Sequence, residues 1–322
     1  MSRFITLFTL ALAACTDGFN FAPQQTLFSR PTASSGRRES VVAQISRTIE
    51  TDGLAFTVED IPHLKNWIPD LEMHDTPLGN APDSMMKTRP DPSFFVNEDD
   101  LIAAQVAHTA QEARSPQAFH RAGARAKVAF EVGEAKAAIA TCGGLCPGLN
   151  TVVRELYLCL SRQYGVKTVL GIRDGYAGFG RIDKAIELTE EYVADIQKQG
   201  GTVLRSSRGG HDTMVICDAL EAQGINMLFL VGGDGTMKGA VKIEDEMRRR
   251  GKKCVVGVVP KTIDNDVPVI DMSFGFNTAV QEAASHINAA YTEAAGCPNG
   301  IGVVRLMGRH SGFIAMTAVP PP

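Results

Sequence analysis

The chain has 322 residues, of which 44% are hydrophobic and 21% are charged, and its formal net charge is -4. This length supports one or two globular domains with sizeable cores. The mild acidity gives no support for a nucleic-acid partner, and the basic run at 248–253 is typical of a solvated helix end. The seven cysteines form no CxxC pair and no Cys/His zinc spacing, so we expect a reduced chain without zinc.

Residues 1–40 have the composition of a targeting segment. Phe4–Ala14 is an apolar run too short to span a membrane comfortably, and Phe19–Arg38 contains Ser, Thr and Arg but no acid. A secretory signal followed by a transit-like segment resembles the two-part plastid address of algae with secondary plastids. We therefore expect a plastid protein with no membrane contact in its mature form. The alternatives are a lipoprotein box at Leu12–Cys15, a mitochondrial presequence, and a disordered tail on a cytoplasmic protein.

Residues 41–134 hold several prolines and no sustained periodicity, which predicts a partly irregular N-terminal extension. From 135 to 319, short apolar runs alternate with helical spacing, and we interpret this stretch as a nucleotide-binding and catalytic α/β domain. Residues 320–322 are a tail of three prolines, which cannot continue the helical pattern before them. We therefore expect this domain to be truncated.

Strands and helices are predicted in alternation along the α/β domain. Predicted strands lie at 135–141, 167–172, 225–231, 253–260 and 300–306, with a strand-like run at 202–206. Predicted helices lie at 149–165, 192–201, 212–224, 237–251 and 278–296, with a further helix start at 311–319. This alternation predicts a three-layer α/β fold, a mostly parallel sheet with helices on both faces. Ligands of such sheets collect at the carboxyl ends of the strands.

Two glycine-rich motifs follow predicted strands. "GGLCPGLN" (143–150) opens a helix, and its glycines would let the backbone approach an anion, although a tight turn explains it equally well. "VGGDGT" (231–236) has three glycines around Asp234, so phosphate oxygens would reach main-chain N–H groups while the carboxylate binds magnesium. Here we favour nucleotide phosphate over a glycine turn with a capping Asp.

"PKTIDND" (260–266) places two carboxylates directly after a buried strand. A hydroxyl that attacks a phosphoryl group needs a proton acceptor, and Asp264 suits that role, with Asp266 holding the geometry or a metal. Lys261 would neutralise charge on the transferred phosphoryl oxygens. The alternative is an Asx turn with a solvated lysine.

"SSRGG" (206–210) and "LMGRHSG" (306–312) each offer an arginine after a predicted strand. Arg208 fits either a phosphate clamp or a surface position. Arg309 fits either a contact with an anionic substrate or a helix entry that Ser311 caps.

In this order the five motifs resemble the N-terminal half of phosphofructokinases, most closely the plant and algal ATP-dependent branch. The resemblance runs from about Ala135 to Ala318 and implies a phosphofructokinase-like fold with a Rossmann-like N-terminal domain. It implies phosphoryl transfer in glycolysis from ATP, with Mg²⁺, to the 1-hydroxyl of fructose 6-phosphate, giving fructose 1,6-bisphosphate.

The resemblance also implies roles for individual residues, with the proton acceptor at Asp264 and the magnesium ligand at Asp234. The implied catalytic residues are Lys261, Thr262, Asp264 and Asp266. The implied nucleotide-binding residues are Gly144, Arg208, Gly209, Gly233, Asp234, Gly235 and Thr236. The implied substrate contacts are Thr262, Ile263, Asp264, Met307, Gly308 and Arg309.

The choice of donor depends on Gly235. Pyrophosphate users of the family usually carry Asp there, and that carboxylate would repel the inner phosphate of a nucleotide, so Gly235 favours ATP. Lys261 resembles the pyrophosphate users, and a pyrophosphate-dependent enzyme is therefore one alternative.

This sequence lacks the family's C-terminal half, with its further sugar-phosphate contacts and part of the subunit interface. We expect apolar surface to be exposed where that half would pack, and a homo-oligomer only for a full-length chain. Two further alternatives stay open. One is an NAD or lipid kinase, which shares "GGDGT"; the other is an inactive relative that binds nucleotide or associates with full-length subunits.

Overall fold

The computed structural model describes residues 46–51, 54–59, 63–78, 95–97, 99–103, 117–267, 270–309 and 312–319. The targeting segment expected at 1–40 and the tail at 320–322 lie outside these residues.

The chain divides into two compact units. One is drawn from residues 1–61 and 97–123, the other from 62–96 and 124–322. The second unit takes in part of the extension expected at 41–134, and the domain boundary placed there stays a prediction.

Strands and helices have the following bounds. The strands are β1 (Ser46–Thr51), β2 (Leu54–Glu59), β3 (His74–Asp75), β4 (Leu101–Ala103), β5 (Gln117–His120), β6 (Lys127–Val128), β7 (Lys136–Thr141), β8 (Thr168–Ile172), β9 (Ile186–Glu187), β10 (Met227–Gly232) and β11 (Val255–Pro260). The α-helices are α1 (Leu149–Leu158), α2 (Glu190–Val193), α3 (Thr213–Gln223), α4 (Asp234–Arg249), α5 (Phe276–Ala295) and α6 (Phe313–Ala318). Shorter helical segments are the 3-10 turns Leu64–Asn66 and Ile196–Lys198, the kinked 3-10 segment Gly175–Lys184 and the π-helical turn Cys159–Gln163.

The first unit is built on a four-stranded sheet in the order β1-β2-β5-β4. Its strands β1 and β2 form an antiparallel hairpin, β5 runs parallel to β2, and β4 pairs antiparallel with β5. In the second unit, β3 and β6 form a separate antiparallel pair.

The second unit is organised around a five-stranded sheet in the order β11-β10-β7-β8-β9. All neighbours are parallel except β9, which pairs antiparallel with β8. Successive residues of β7 enter opposite cores: Ala137 and Ile139 pack on one face, and Ala138 and Ala140 on the other. The sheet is therefore buried on both sides, as the continuous apolar runs predict.

Helices cover the two faces of this sheet. Helix α1 packs its buried residues Leu149, Val153 and Leu156 into one core, whereas α3 and α4 supply Leu220 and Ile243 to the other. This arrangement confirms the predicted three-layer, mostly parallel α/β fold. None of the helices in the described part of the chain is long and apolar enough to cross a membrane.

Helix α3 shows how local sequence sets the bounds of these elements. The Asp212 carboxylate accepts hydrogen bonds from the backbone N–H groups of Met214 and Val215, as an N-cap does. At the other end, Gly224 adopts a left-handed conformation with φ of 64°, which favours glycine and ends the helix as the sequence predicts.

The connections change direction at the centre of the sheet. The first crossover runs from β7 through α1 to β8, whereas the later strands β10 and β11 lie on the other side of β7. This switch leaves a crevice between the carboxyl ends of β7 and β10, and in open α/β sheets that is where ligands bind.

Three predicted elements are wrong. No strand forms at 300–306, where Gly300 and Gly302 approach the α5 backbone instead of a strand, so the segment has no ladder partner. No strand forms at 202–206 either, because Arg205 takes a left-handed φ of 58° that breaks an extended conformation. The helix expected at 192–201 is split into the end of α2 and a 3-10 turn, with a non-helical residue, Asp195, between them.

Leu228 on β10 is fully buried in the core that contains α3 and α4. Leu228→Ala is expected to lower the free energy of unfolding by about 2–5 kcal/mol, because it removes apolar contacts and leaves a cavity. Val241 on α4 is 57% exposed, and the matched Val241→Ala change is expected to have an effect below about 0.5 kcal/mol. Urea denaturation followed by circular dichroism measures both, and equal losses would contradict the assignment of Leu228 to the core.

Candidate active site

The loops that follow the parallel strands are tied together at the carboxyl edge of the sheet. The Gly143 N–H donates to the Ser207 carbonyl at 3.0 Å, and the Ser206 hydroxyl donates to the Gly143 carbonyl at 2.6 Å. On the opposite side, the Cys146 thiol donates to the Phe274 carbonyl at 3.2 Å. These bonds hold the glycine-rich loop after β7 between the loop that carries Arg208 and the segment that leads into α5.

Lys261 lies at the end of β11 and is only 8% exposed. A Cβ atom built on Gly143 would lie 3.8 Å from Lys261 Nζ, and one built on Gly144 would lie 3.8 Å from Arg208 Nη2. The two cations therefore line the same glycine-rich loop, where the φ of 82° at Gly143 favours glycine. We call this group of Gly143, Gly144, Arg208 and Lys261 the cation pocket.

The cation pocket has an uncompensated positive charge. Burial lowers the pKa of the Lys261 ammonium below its usual value, and the charge of Arg208 lowers it further. Burial raises the pKa of Cys146 to about 11 and that of Cys142 to about 12, so both nearby thiols are neutral at pH 7. Among the described residues, Lys261 has no carboxylate within ion-pair distance. An anion bound here would offset the cost of this buried charge.

Arg309 joins three carboxylates beside the cation pocket. Its Nη1 donates to Asp234 at 2.8 Å, its Nε to Asp264 at 3.1 Å and its Nη2 to Asp266 at 2.7 Å. The hydrogen bond to Asp234 is the main cause that raises the pKa of Arg309 above its ordinary value. Within the described residues, three carboxylates thus share one guanidinium. We call these four residues the aspartate cluster.

A hydrogen-bonded turn fixes the two carboxylates of "PKTIDND". The Thr262 hydroxyl accepts from the Asp264 N–H at 3.1 Å and donates to Asp266 at 3.2 Å. Ser273 closes the turn, because its hydroxyl donates to the Thr262 carbonyl at 2.6 Å and its N–H donates to the Asn265 side chain at 2.8 Å. Asp264 is buried and its backbone is held on both sides, so its carboxylate has a defined direction.

The first turn of α4 carries the "GGDGT" motif. Thr236 is buried beneath Gly232, and its carbonyl accepts from the Tyr176 hydroxyl at 2.7 Å. A Cβ built on Gly235 would meet no atom within 4 Å, so this position faces open space. Asp234 lies in this first turn, which has no side-chain N-cap.

The structure groups the predicted site residues in two sets. Gly144, Arg208 and Lys261 meet in the cation pocket, and the three aspartates meet Arg309 in the aspartate cluster. Ile263 packs into apolar cores, whereas Met307 is 77% exposed. The roles given to these residues by the resemblance stay predictions.

Sequence reasoning missed the residues that support the site. Ser273 and Asn265 close the turn. Asn265 lies inside "TIDND", whereas Ser273 follows the mostly apolar run 267–272, and no local pattern links the two. Tyr176 and His211 support α4 from the side, with ring centroids 4.8 Å apart and His211 close to the Gly239 carbonyl. These two residues are far apart in the sequence, and no local pattern links them.

Fold and site together define an α/β protein with a charged cleft at the switch point of its sheet. Residues 136–319 match the family model described as Phosphofructokinase. The chain therefore belongs to the phosphofructokinase family, which confirms the resemblance seen in its motifs.

Relatives of the plant branch support this assignment. The chain is 50% identical over 264 residues to ATP-dependent 6-phosphofructokinase 7 of Arabidopsis thaliana, covering 82% of this chain and 53% of that protein. It is 48% identical over 269 residues to ATP-dependent 6-phosphofructokinase 4, chloroplastic, of the same plant, covering 84% and 49%. It is 46% identical to ATP-dependent 6-phosphofructokinase of Amycolatopsis methanolica, covering 68% and 48%. The chain thus spans about half the length of these curated relatives.

Solved structures agree on the fold. Pyrophosphate-dependent phosphofructokinase from Marinobacter aquaeolei matches with a TM-score of 0.50 at 22% identity, covering 57% of this chain and 48% of that chain. The corresponding protein from Nitrosospira multiformis matches with a TM-score of 0.51 at 21% identity, covering 58% and 49%. At this level of identity the similarity supports the fold alone.

The buried charge of Lys261 makes a prediction about stability. Lys261→Met is expected to raise the free energy of unfolding by about 1 kcal/mol. The reason is that it removes an ammonium group that loses hydration on folding and gains no counter-charge. Lys242 is exposed on α4, so Lys242→Met is the matched control and is expected to change stability little. Thermal and urea unfolding at pH 7 measure the two variants.

The pH dependence has a definite sign. The folded state binds the Lys261 proton more weakly than the unfolded state does. The resulting destabilisation of the folded state is complete below the lowered pKa of Lys261 and disappears above the ordinary value near 10.5. The advantage of Lys261→Met should therefore shrink as pH rises through that window. A large loss of stability in Lys261→Met would contradict the cation pocket and show a structural contact instead.

Proposed function

We propose that this chain carries the donor site and the general base of an ATP-dependent 6-phosphofructokinase. The observation that supports it most is the convergence of Asp234 and Asp264 on one guanidinium beside the cation pocket. Phosphoryl transfer needs cations around the donor phosphates and a carboxylate at the acceptor hydroxyl, and this edge of the sheet brings both together.

On the donor side, the phosphates of ATP occupy the cation pocket. Gly144, Gly233 and Gly235 let phosphate oxygens approach the backbone, while Arg208 and Lys261 neutralise their charge. Gly209 and Thr236 complete the wall next to the nucleotide. Bound phosphate also supplies the counter-charge that Lys261 lacks. The buried ammonium, which is unfavourable in the protein alone, is therefore stabilised in the complex.

The aspartate cluster suits magnesium. Its carboxylate oxygens are the ligands that Mg²⁺ prefers, and among the described residues three carboxylates outnumber the one guanidinium they share. Mg²⁺ usually binds through one or two carboxylates together with substrate phosphates, so Asp234, in the open first turn of α4, is the ligand we assign. When bound, the ion neutralises charge on the transferred phosphoryl group.

On the acceptor side, Asp264 takes the proton of the 1-hydroxyl of fructose 6-phosphate. The hydroxyl oxygen then forms a bond to the γ-phosphorus, the bond from that phosphorus to the β-phosphate oxygen breaks, and ADP leaves with the electron pair. Thr262 and Asp266 hold the turn that aims Asp264, and Ile263 lies alongside the sugar. The product is fructose 1,6-bisphosphate, a step of glycolysis.

Arg309 must exchange partners during this reaction. In the protein alone it occupies the space between Asp234 and Asp264, which the migrating phosphoryl group needs. The negative charge of the substrate offers the guanidinium a new partner, and with Met307 and Gly308 it contacts the sugar phosphate. Arg309 thus keeps the carboxylates compensated until substrate and metal arrive.

ATP is the proposed donor because Gly235 faces open space, whereas a carboxylate at that position would point toward the nucleotide's inner phosphate. The similar proteins from plants and from Amycolatopsis are named ATP-dependent, which agrees with this choice. Because the chain spans about half of their length, further acceptor contacts and a homo-oligomeric assembly belong to the proposal for a full-length protein.

Asp264→Asn is expected to lower the rate of fructose 6-phosphate phosphorylation about 10²–10⁴-fold, because an amide cannot accept the hydroxyl proton. Formation of fructose 1,6-bisphosphate by the full chain, measured with ATP and again with pyrophosphate as donor, tests this, and ATP is expected to give the faster turnover. Asp245→Asn on the exposed side of α4 is the control and should retain wild-type turnover. Nucleotide binding is followed separately by calorimetry.

The outcomes of this assay separate the alternatives. Binding of MgATP without turnover would reject the kinase assignment and leave a nucleotide-binding relative. Faster turnover with pyrophosphate would reject the choice of donor. Full activity of Asp264→Asn would remove Asp264 as the base.

The plastid is the proposed location. The support is the signal followed by a transit-like composition in residues 1–40, together with the word chloroplastic in the name of one similar plant protein. A fluorescent protein fused after residue 40 is expected to enter plastids, since the targeting segment at residues 1–40 precedes the α/β domain. The same fusion lacking residues 1–40 is the control and should stay outside. Purely cytosolic or mitochondrial fluorescence of the full fusion would contradict the proposal.

A further inference from the structure

A polar cavity lies at the carboxyl end of β8. It has a volume of about 200 Å³ and is lined by the charged residues Arg173, Asp174, Arg181, Lys184 and Arg205. None of these residues belongs to the cation pocket or the aspartate cluster. We call it the β8 cavity.

The β8 cavity has an excess of positive charge. Asp174 is its one carboxylate and is already paired with Arg181, with 3.3 Å between Oδ2 and Nη2. In the part of the chain that the structure describes, Arg173, Lys184 and Arg205 have no ion-pair partner for their charged groups. Four cations therefore face one carboxylate, which leaves three positive charges around a small volume.

Arg173 contributes both a charge and an unpaired polar atom to this part of the protein. Its Nε–H is buried and has no hydrogen-bond acceptor. Buried polar atoms in native proteins are nearly always paired, and an exception calls for a specific explanation such as a bound ion. An anion in the cavity would be attracted by the charges of Arg173 and Arg205, which both line it.

The walls of the cavity are rigid. Asp174 and Arg205 are both non-glycine residues with left-handed backbones, with φ of 65° and 58°. Their segments are joined where the Asp174 N–H donates to the Leu204 carbonyl at 2.9 Å, and the Ser207 hydroxyl donates to the Asp174 carbonyl at 2.7 Å. Non-glycine residues persist in this conformation only where the surrounding structure enforces it, and such residues cluster at ligand sites.

We propose that the β8 cavity binds the phosphate group of a small molecule, either inorganic phosphate or a phosphomonoester. Guanidinium groups match phosphate oxygens with paired, charge-assisted hydrogen bonds, and three cations exceed what a monocarboxylate needs. The volume of about 200 Å³ leaves room for a phosphate group with its attached waters or a short carbon chain. The proposal does not rest on the kinase assignment.

Phosphate binding to the full chain, measured by titration calorimetry, tests this proposal. Arg205→Met and Lys184→Met remove exposed cations of the cavity and are each expected to weaken one phosphate site about tenfold. Arg249→Met on the exposed end of α4 is the matched control and should bind as the wild type does. Because the cation pocket also attracts phosphate, Lys261→Met is titrated in parallel and should retain the cavity site.

Each result of the titration has a meaning. A Lys261→Met protein that still binds phosphate, and loses that binding when Arg205→Met is added, supports the β8 cavity whether or not ATP is the catalytic donor. Glycerol 3-phosphate as a second probe distinguishes the two sources: binding shows a phosphomonoester site, and its failure beside phosphate binding shows a site for the free ion. Unchanged phosphate binding in both cavity variants, with unchanged circular dichroism, would overturn the proposal.

Discussion

The pairing of β7 with β10 is the constraint on which the rest of this structure depends. Both strands are buried on both faces at the centre of the sheet, and between Lys136 at the start of β7 and Thr141 at its end they carry only apolar side chains. The charged residues of the site therefore come from the loops that follow the strands. Parallel pairing brings the carboxyl ends of the two strands to the same edge of the sheet. The glycine-rich loop after β7 and the first turn of α4 after β10 are neighbours for this reason.

Charge is distributed unevenly along that edge. The cation pocket has positive charge without a partner, whereas the aspartate cluster holds three carboxylates on one guanidinium. The two groups share the short stretch from Lys261 to Asp266, so they cannot move apart to neutralise each other. A rigid turn with Ser273 and Asn265 keeps them separate. A site of this kind stores electrostatic free energy that an anionic substrate with a divalent cation would release.

The sequence predicted the layers and the motif positions, because continuous apolar strands and glycine turns are local signals. It did not predict that Arg309 would join all three aspartates, since that contact depends on how a distant segment returns to the sheet. The strand expected at 300–306 failed for a related reason: an apolar run becomes a strand only where another strand offers hydrogen bonds. The β8 cavity was also missed, because its arginines come from separate turns.

The open side of β11 has a consequence for how this protein behaves at high concentration. Within the described residues β11 pairs with β10 alone, and its valines are half-buried. An unpaired row of backbone N–H and C=O groups beside apolar side chains is a template on which a further extended segment can add. Solubility therefore depends on which chain covers this edge, more than on the modest net charge of the molecule.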